Sequence, residues 1–192
     1  MPSRYDDELW ALVPEETGPP PEHLLAFVRG LERAQRALDL GCGDGRLTRE
    51  LDAAETVAAD VSDVALARAA GRVPAARLVS LDPDAPLPLE DGSFDLVLCA
   101  ETVEHVRDVQ LLLSEVRRVL RPGGRLAVTT PAHGRATALR VAIGGFERAF
   151  PPLSPHLRLL SRRSLADLLD GVGFDVVTMR RRRGTLLAVA RR

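Results

Sequence analysis

Ala37-Leu38-Asp39-Leu40-Gly41-Cys42-Gly43-Asp44-Gly45-Arg46 is the stretch that decides the fold. Residues 37–40 read as a short buried strand that runs into three glycines spaced G-x-G-x-G. Glycine suits a backbone that must turn sharply and approach a ligand where a Cβ would collide. Leu47 and Leu51, one helical turn apart, predict a helix starting near Arg46. Such a helix would point its unpaired N–H groups and the positive end of its dipole at the turn. Arg46 stands where a dinucleotide fingerprint G-x-G-x-x-G needs its third glycine. Asp39 puts a carboxylate at the strand's end, suited to a ligand carrying positive charge.

Outward from that turn, residues 55–60 read as a second strand ending on Asp60. An acid there, after one β-α-β unit, can accept two hydrogen bonds from ribose hydroxyls. Ser62 caps a helix over 63–70, and a third strand, 77–81, runs into Asp82-Pro83-Asp84. Prolines and Asp91-Gly92 make a loop before a fourth strand at 94–99. Val109, Leu112, Leu113, Val116, Val119 and Leu120 recur at helical spacing up to Arg121-Pro122-Gly123-Gly124. A fifth strand follows at 125–130. Residues 136–150 read as a helix, and Pro151, Pro152 and Pro155 as a rigid loop. Ser161 caps a helix with Leu165, Leu168, Leu169 and Val172 inward, closed by Gly171 or Gly173. Residues 174–179 and 185–189 make a hairpin that turns through the arginines at 180–183 and Gly184, read as solvated. Ahead of the glycine turn, residues 22–33 form a helix with Leu24, Leu25, Val28 and Leu31 on one face and His23 exposed.

A chain of 192 residues, 45% hydrophobic, supports one well-cored domain and is short for two. The net charge of −1 gives no global argument for nucleic acid or an anionic membrane. The charge is uneven: residues 1–133 carry 14 Arg against 23 acids, and 134–192 carry 12 Arg against 4. Lysine and asparagine are absent and Ile143 is the one isoleucine, a pattern of GC-rich coding, so arginine abundance alone does not signal RNA binding. Cys42 and Cys99 offer neither a disulfide framework nor zinc spacing. With no signal peptide and no membrane-length apolar run, a cytoplasmic protein is expected. Residues 1–21 hold the only tyrosine and tryptophan, Tyr5 and Trp10. They form either an anchor on the domain surface or a lid over a cofactor, ahead of a single domain at 22–192.

The glycine turn resembles the first motif of the class I S-adenosylmethionine (SAM)-dependent methyltransferases. Leu87-Pro88-Leu89-Glu90-Asp91-Gly92-Ser93-Phe94-Asp95 and Arg118-Val119-Leu120-Arg121-Pro122-Gly123-Gly124-Arg125-Leu126 resemble the same superfamily, and its ubiquinone/menaquinone-biosynthesis type in particular. The resemblance implies a Rossmann-like α/β fold: a seven-stranded, mostly parallel sheet with an antiparallel last strand and helices on both faces. It implies SAM held by Asp39, Gly41, Cys42, Gly43, Gly45, Asp60, Val61, Asp82 and Cys99. In such enzymes a carboxylate after the third strand receives the adenine amino group, and the next backbone N–H contacts the ring. Asp82 matches the carboxylate, but Pro83 has no N–H, which shifts the ring contact to Asp84 or Ala85.

Glu101-Thr102-Val103-Glu104-His105 follows the fourth strand, where ligands of doubly wound sheets sit. This E-x-x-E-H resembles ubiquinone-biosynthesis O-methyltransferases. It also resembles small-RNA 3′-terminal 2′-O-methyltransferases, whose two Glu and His bind a divalent metal with a further His, here His133 or His156. A helical backbone would place Glu101 beside both Glu104 and His105. The expected catalytic residues are therefore Glu101, Glu104 and His105. The same three with His156 are the expected ligands for magnesium or another divalent cation. Without metal, His105 is the candidate base. The function expected is methyl transfer from SAM to a small-molecule acceptor with a hydroxyl or enolisable carbon, a hydroxyl oxygen foremost, by a monomer or homodimer. The basic balance of 134–192 suits an anionic acceptor. RNA 2′-O-methylation and a non-catalytic SAM-binding module are the other readings. Without asparagine there is no Asn-Pro-Pro-Tyr motif for DNA adenine, and no Pro-Cys nucleophile for cytosine C5.

Overall fold

The computed structural model describes residues 4–15, 18–145 and 156–192. Seven strands form one sheet: β1 (Ala34–Leu40), β2 (Ala53–Asp60), β3 (Arg77–Ser80), β4 (Phe94–Ala100), β5 (Leu120–Pro131), β6 (Asp175–Arg182) and β7 (Thr185–Arg191). Their spatial order is β3-β2-β1-β4-β5-β7-β6. The first five pair in parallel, and β7 runs antiparallel to both β5 and β6. This is the Rossmann-like sheet expected. The order reverses between β1 and β4, so the crevice beyond their carboxyl ends is where such a sheet accepts ligands.

Six helices accompany it among the described residues: α1 (Arg4–Leu12), α2 (Glu22–Arg29), α3 (Asp63–Arg72), α4 (Val109–Val119), α5 (Arg135–Gly144) and α6 (Arg162–Gly171). Alternation along the strands sends side chains to two faces. Leu38, Leu40, Val97, Cys99, Leu126 and Val128 meet Leu113 and Val116 of α4 and Leu165 and Leu169 of α6. Ala37, Leu96, Leu98 and Ala127 meet Val28 of α2, while Ala58 meets Leu66 of α3. Both faces of the parallel strands are thereby covered, which is why β4 reads as an unbroken apolar run after Asp95. The residues expected in the second half of a 136–150 helix, and the proline loop after them, lie outside the described residues beyond 145.

Local chemistry explains the element ends. Ser62 accepts from Ala65 N at the start of α3, and Asp108 from Leu111 N at the start of α4. Ser161 and Ser164 form a reciprocal capping box on α6, whose end is closed by Gly173 at φ +82. Arg118 reaches back to the Leu87 and Leu89 carbonyls and to Asp91, tying the 86–93 loop to α4. The arginine run does not form the broad turn expected. β6 extends through Arg182, and a two-residue turn, Arg183-Gly184 with φ +46 and +86, reverses the chain.

Three further expectations are corrected. No helix follows the glycine turn: a single 3-10 turn, Thr48–Glu50, occupies the place. β2 begins at Ala53, earlier than expected, so the link from Gly45 has room for one turn only. The helical-dipole contribution assigned to that segment therefore disappears. α1 was not legible as a helix, although Asp6 and Asp7 in its first turn suit a helix N-terminus. His23 is half-buried, its Nε2 3.1 Å from the hydroxyl of Thr185 at the start of β7.

Candidate active site

The glycine turn leaves β1 with Gly41, Gly43 and Gly45 all at positive φ, +77, +54 and +81. All three glycines accommodate the protein itself, Gly45 against Val73 and Ala69 and the other two most tightly. A Cβ on Gly41 would lie 2.5 Å from the Thr102 hydroxyl, which donates to the Leu40 and Ala100 carbonyls and so joins the ends of β1 and β4. A Cβ on Gly43 would lie 2.7 Å from the Trp10 ring. α1 is laid across the turn by a set of specific bonds. Asp7 accepts from the Ser62 hydroxyl and Val64 N, and the Arg68 guanidinium stands 5.9 Å from the Trp10 ring centre and donates to the Val13 carbonyl. Tyr5 faces solvent.

Asp60 stands at the end of β2 with Gly43 N donating to Oδ2 at 2.8 Å and Ser62 N to Oδ1 at 3.0 Å. Burial raises its pKa against the pull of those amides. A carboxylate offers about four lone-pair sites, so acceptor capacity remains for ribose hydroxyls. Asp39 is fully enclosed, and burial pushes its carboxyl up to about 7 despite a 2.6 Å bond from the Thr48 hydroxyl. Asp44 is held by Arg46 at 3.0 Å and Arg72 at 2.5 Å.

Cys42 packs on Ala58 and Leu66 beneath the turn, and Cys99 lies inside the core of β4; burial raises both thiols. Val61 is half-buried against the main core. Asp82 folds onto its own loop: its Oδ1 accepts from Asp84 N, and its carbonyl from Ala85 N. The amides of Asp84 and Ala85, expected to meet the adenine ring in place of Pro83, are therefore already engaged within that loop.

Beyond β4 the chain does not coil as expected. Residues 101–108 form bends and turns, with Glu101 at φ +52, rare for a residue with a side chain. Glu101 consequently points to β5, where its Oε1 accepts from the Thr129 hydroxyl at 2.9 Å. Burial, then the neighbouring Glu104 charge, pushes its carboxyl up to about 7. Glu104, His105 and His156 converge instead, each presenting a ligand atom within 4.8 Å of the others. The two imidazoles meet edge-on at 4.9 Å. The chain at 156–158 is tied to the β4 loop by Leu157 N on the Glu104 carbonyl and by Arg158 on the Val106 and Arg107 carbonyls. His133 stands outside this group. Burial lowers the His156 pKa, helped by His105 and His133.

Glu104 is 1% exposed, and neither of its oxygens closes a hydrogen bond with a described residue. The Thr130 hydroxyl favours its charged form only from a position short of a full bond, and burial prevails, raising the pKa. An orphaned buried carboxylate beside two imidazoles fits a cation of the hard or borderline kind.

The sequence family described as a methyltransferase domain matches residues 38–128. The chain is 33% identical over 178 residues to the demethylmenaquinone methyltransferase of Mycolicibacterium gilvum, covering 83% of this chain and 76% of that protein. It belongs to the SAM-dependent methyltransferases. It is also 36% identical over 143 residues to the malonyl-[acyl-carrier protein] O-methyltransferase of Enterobacter lignolyticus, across 73% of this chain and 55% of the relative. The chain spans about half the length of several curated relatives it matches. A SAM-dependent methyltransferase of Methanosarcina mazei shares the fold, with a TM-score of 0.69 at 18% identity over 91% of this chain and 99% of that one. Membership implies SAM as the methyl donor. Among the described residues no helix is long and apolar enough to cross a membrane.

Proposed function

We propose that this methyltransferase transfers the SAM methyl group to a hydroxyl oxygen of a small molecule, with Glu101, Glu104, His105 and His156 at the acceptor side. The observation that carries the reading is the acid–imidazole group at the carboxyl end of β4, joined to the cofactor turn through Thr102. The name of the malonyl relative, which specifies oxygen methylation, supports it. SAM supplies an activated methyl group whose transfer leaves a neutral thioether. The chain's part is to hold donor and acceptor in line, which lowers a barrier by roughly 7–11 kcal/mol when geometry is good. Asp60 orients the ribose, Asp39 faces the donor's positive charge, and the Gly41-to-Gly45 backbone follows the amino-acid portion. Asp82, Val61 and Cys42 complete the donor's surroundings, with Cys99 wholly enclosed in the core behind them, and α1 acts as a lid through Trp10.

Calorimetry should show SAM binding more tightly than NAD. Asp60→Ala should weaken SAM by roughly 1.5–3 kcal/mol, the loss expected for charge-assisted bonds. A radiolabelled-methyl screen over catechols, small acids, amines and short RNAs then tests the acceptor. Label in RNA alone would replace the small molecule by a 2′-hydroxyl of RNA. Tight SAM binding with label in no pool would make this chain a SAM-binding module.

Glu104, His105 and His156 are the residues that would hold a divalent cation, which would lower the acceptor hydroxyl's pKa. On that version chelator abolishes turnover, magnesium or manganese restores it, and Glu104→Ala and His105→Ala fail alike. With His105 as the base instead, chelator does nothing and Glu104→Ala is mild. A rate indifferent to chelator and to both alanines would make the cluster structural.

A further inference from the structure

A cavity of about 320 Å³ opens beside the short link between the glycine turn and β2. Arg29 of α2, Arg46 and Arg49 of the short link and Arg72 of α3 line it, beside an apolar wall of Pro19, Pro20 and Leu25. The single 3-10 turn brings Arg46 and Arg49 to this crevice in so short a link. Four guanidiniums converge there against two carboxylates. One is Glu50 in the wall, gripped by Arg29 at 2.7 Å and Arg49 at 2.9 Å and held below its usual pKa by them. The other is Asp44 behind it, held by Arg46 and Arg72. With Glu22, whose charge also acts on Arg29, counted in, one positive charge is left in excess. Arg29 and Arg49 each meet Glu50 through Nε, which leaves the terminal nitrogens of both guanidiniums to face a ligand.

We propose that this crevice binds a small molecule carrying two adjacent anionic groups, and that the cofactor turn senses its occupancy. Planar guanidinium forks match phosphate and carboxylate oxygens alike. The sensing link is Asp44, which lies between Gly43 and Gly45 and is held in place by two of the four lining arginines. An anion that draws Arg46 or Arg72 toward itself loosens that grip and weakens SAM. By linkage SAM must weaken the anion by the same factor.

The test is calorimetry on the full chain at low ionic strength, titrating inorganic pyrophosphate in one arm and citrate in the other, with and without SAM. Saturable binding of at least one anion is expected, with a mutual loss of affinity of about fivefold. Pyrophosphate alone would identify a phosphate source, and citrate alone a carboxylate source. Arg29→Gln/Arg49→Gln should weaken the anion about tenfold while leaving SAM binding unchanged. Because that variant also releases Glu50, Glu50→Gln gives a check of opposite sign: it removes a negative charge and one of the two oxygens that accept from the arginines, so the anion should bind more tightly. Binding of neither anion, binding that survives the double substitution, an anion that simply competes with SAM, or weaker binding in Glu50→Gln would each overturn the proposal.

Discussion

Gly43→Val is expected to abolish SAM binding and to release α1 from the cofactor turn. Valine at φ +54 is strained by roughly 1–3 kcal/mol, and its Cβ alone would stand 2.7 Å from the Trp10 ring. One of the two backbone amides that donate to Asp60 is the amide of this same residue, so a shift here also disturbs the ribose ligand. Trp10 is the only tryptophan, which makes it a direct reporter. Its emission should move to the red in the variant without ligand, and should no longer respond to SAM. Calorimetry giving the variant near-parental SAM affinity would remove the glycine turn from the binding site.

Asp39→Asn should act in two opposite directions. The folded carboxyl titrates at about 7, well above the ordinary value of 3.8, because the site excludes water. Between those two pH values the folded chain keeps a proton that the unfolded chain has lost. Stability is therefore full below about pH 4 and falls as the pH rises toward 7, by about 1.4 kcal/mol for each pH unit between the two titrations. Asparagine can still accept the Thr48 hydroxyl and never ionises. The ligand-free variant should melt higher than the parent at pH 8, by a few kcal/mol of stability, and match it near pH 4. SAM should bind it more weakly, because the negative charge facing the donor is gone. Melting curves at the two pH values that shift equally for parent and variant would show that Asp39 stays hydrated in the fold.

Most strands and helices were legible because they alternate with distinct periods and because Gly-rich and Pro-rich links punctuate them. The seven-stranded sheet followed from the family resemblance, and its strand order came from the structure. The acids at strand ends were legible for a topological reason: a parallel sheet fixes where its carboxyl ends lie. What escaped depended on length or on distant partners. Leu47 and Leu51 have helical spacing, yet the link to Ala53 is too short to use it. Glu101 stays near enough to Glu104 and His105 to feel their charge, but its positive φ turns its carboxyl toward Thr129 and out of their group of ligand atoms. Thr48 beneath Asp39, Thr102 against Gly41 and Trp10 on Gly43 carry no local signature, since each is defined by a residue far along the chain or on another element. His156 was one of two histidines open to the group, and the ties of Leu157 to the Glu104 carbonyl and of Arg158 to the Val106 and Arg107 carbonyls bring it, not His133, into place.

The place of β7 has a consequence for how this molecule assembles. β7 enters between β5 and β6, two strands that both precede it in sequence, and pairs with each along nearly its full length. Until it arrives, β5 presents an open row of amides and carbonyls from Arg125 to Pro131, and β6 has no neighbour among the described strands. Unpaired edges of that kind invite pairing with other chains. The half of the sheet that carries the cofactor turn can thus form early, while the half that closes it waits for residues 185–191. Nascent chains halted before Thr185 should be the aggregation-prone species, and a chaperone holding β5 would serve them best.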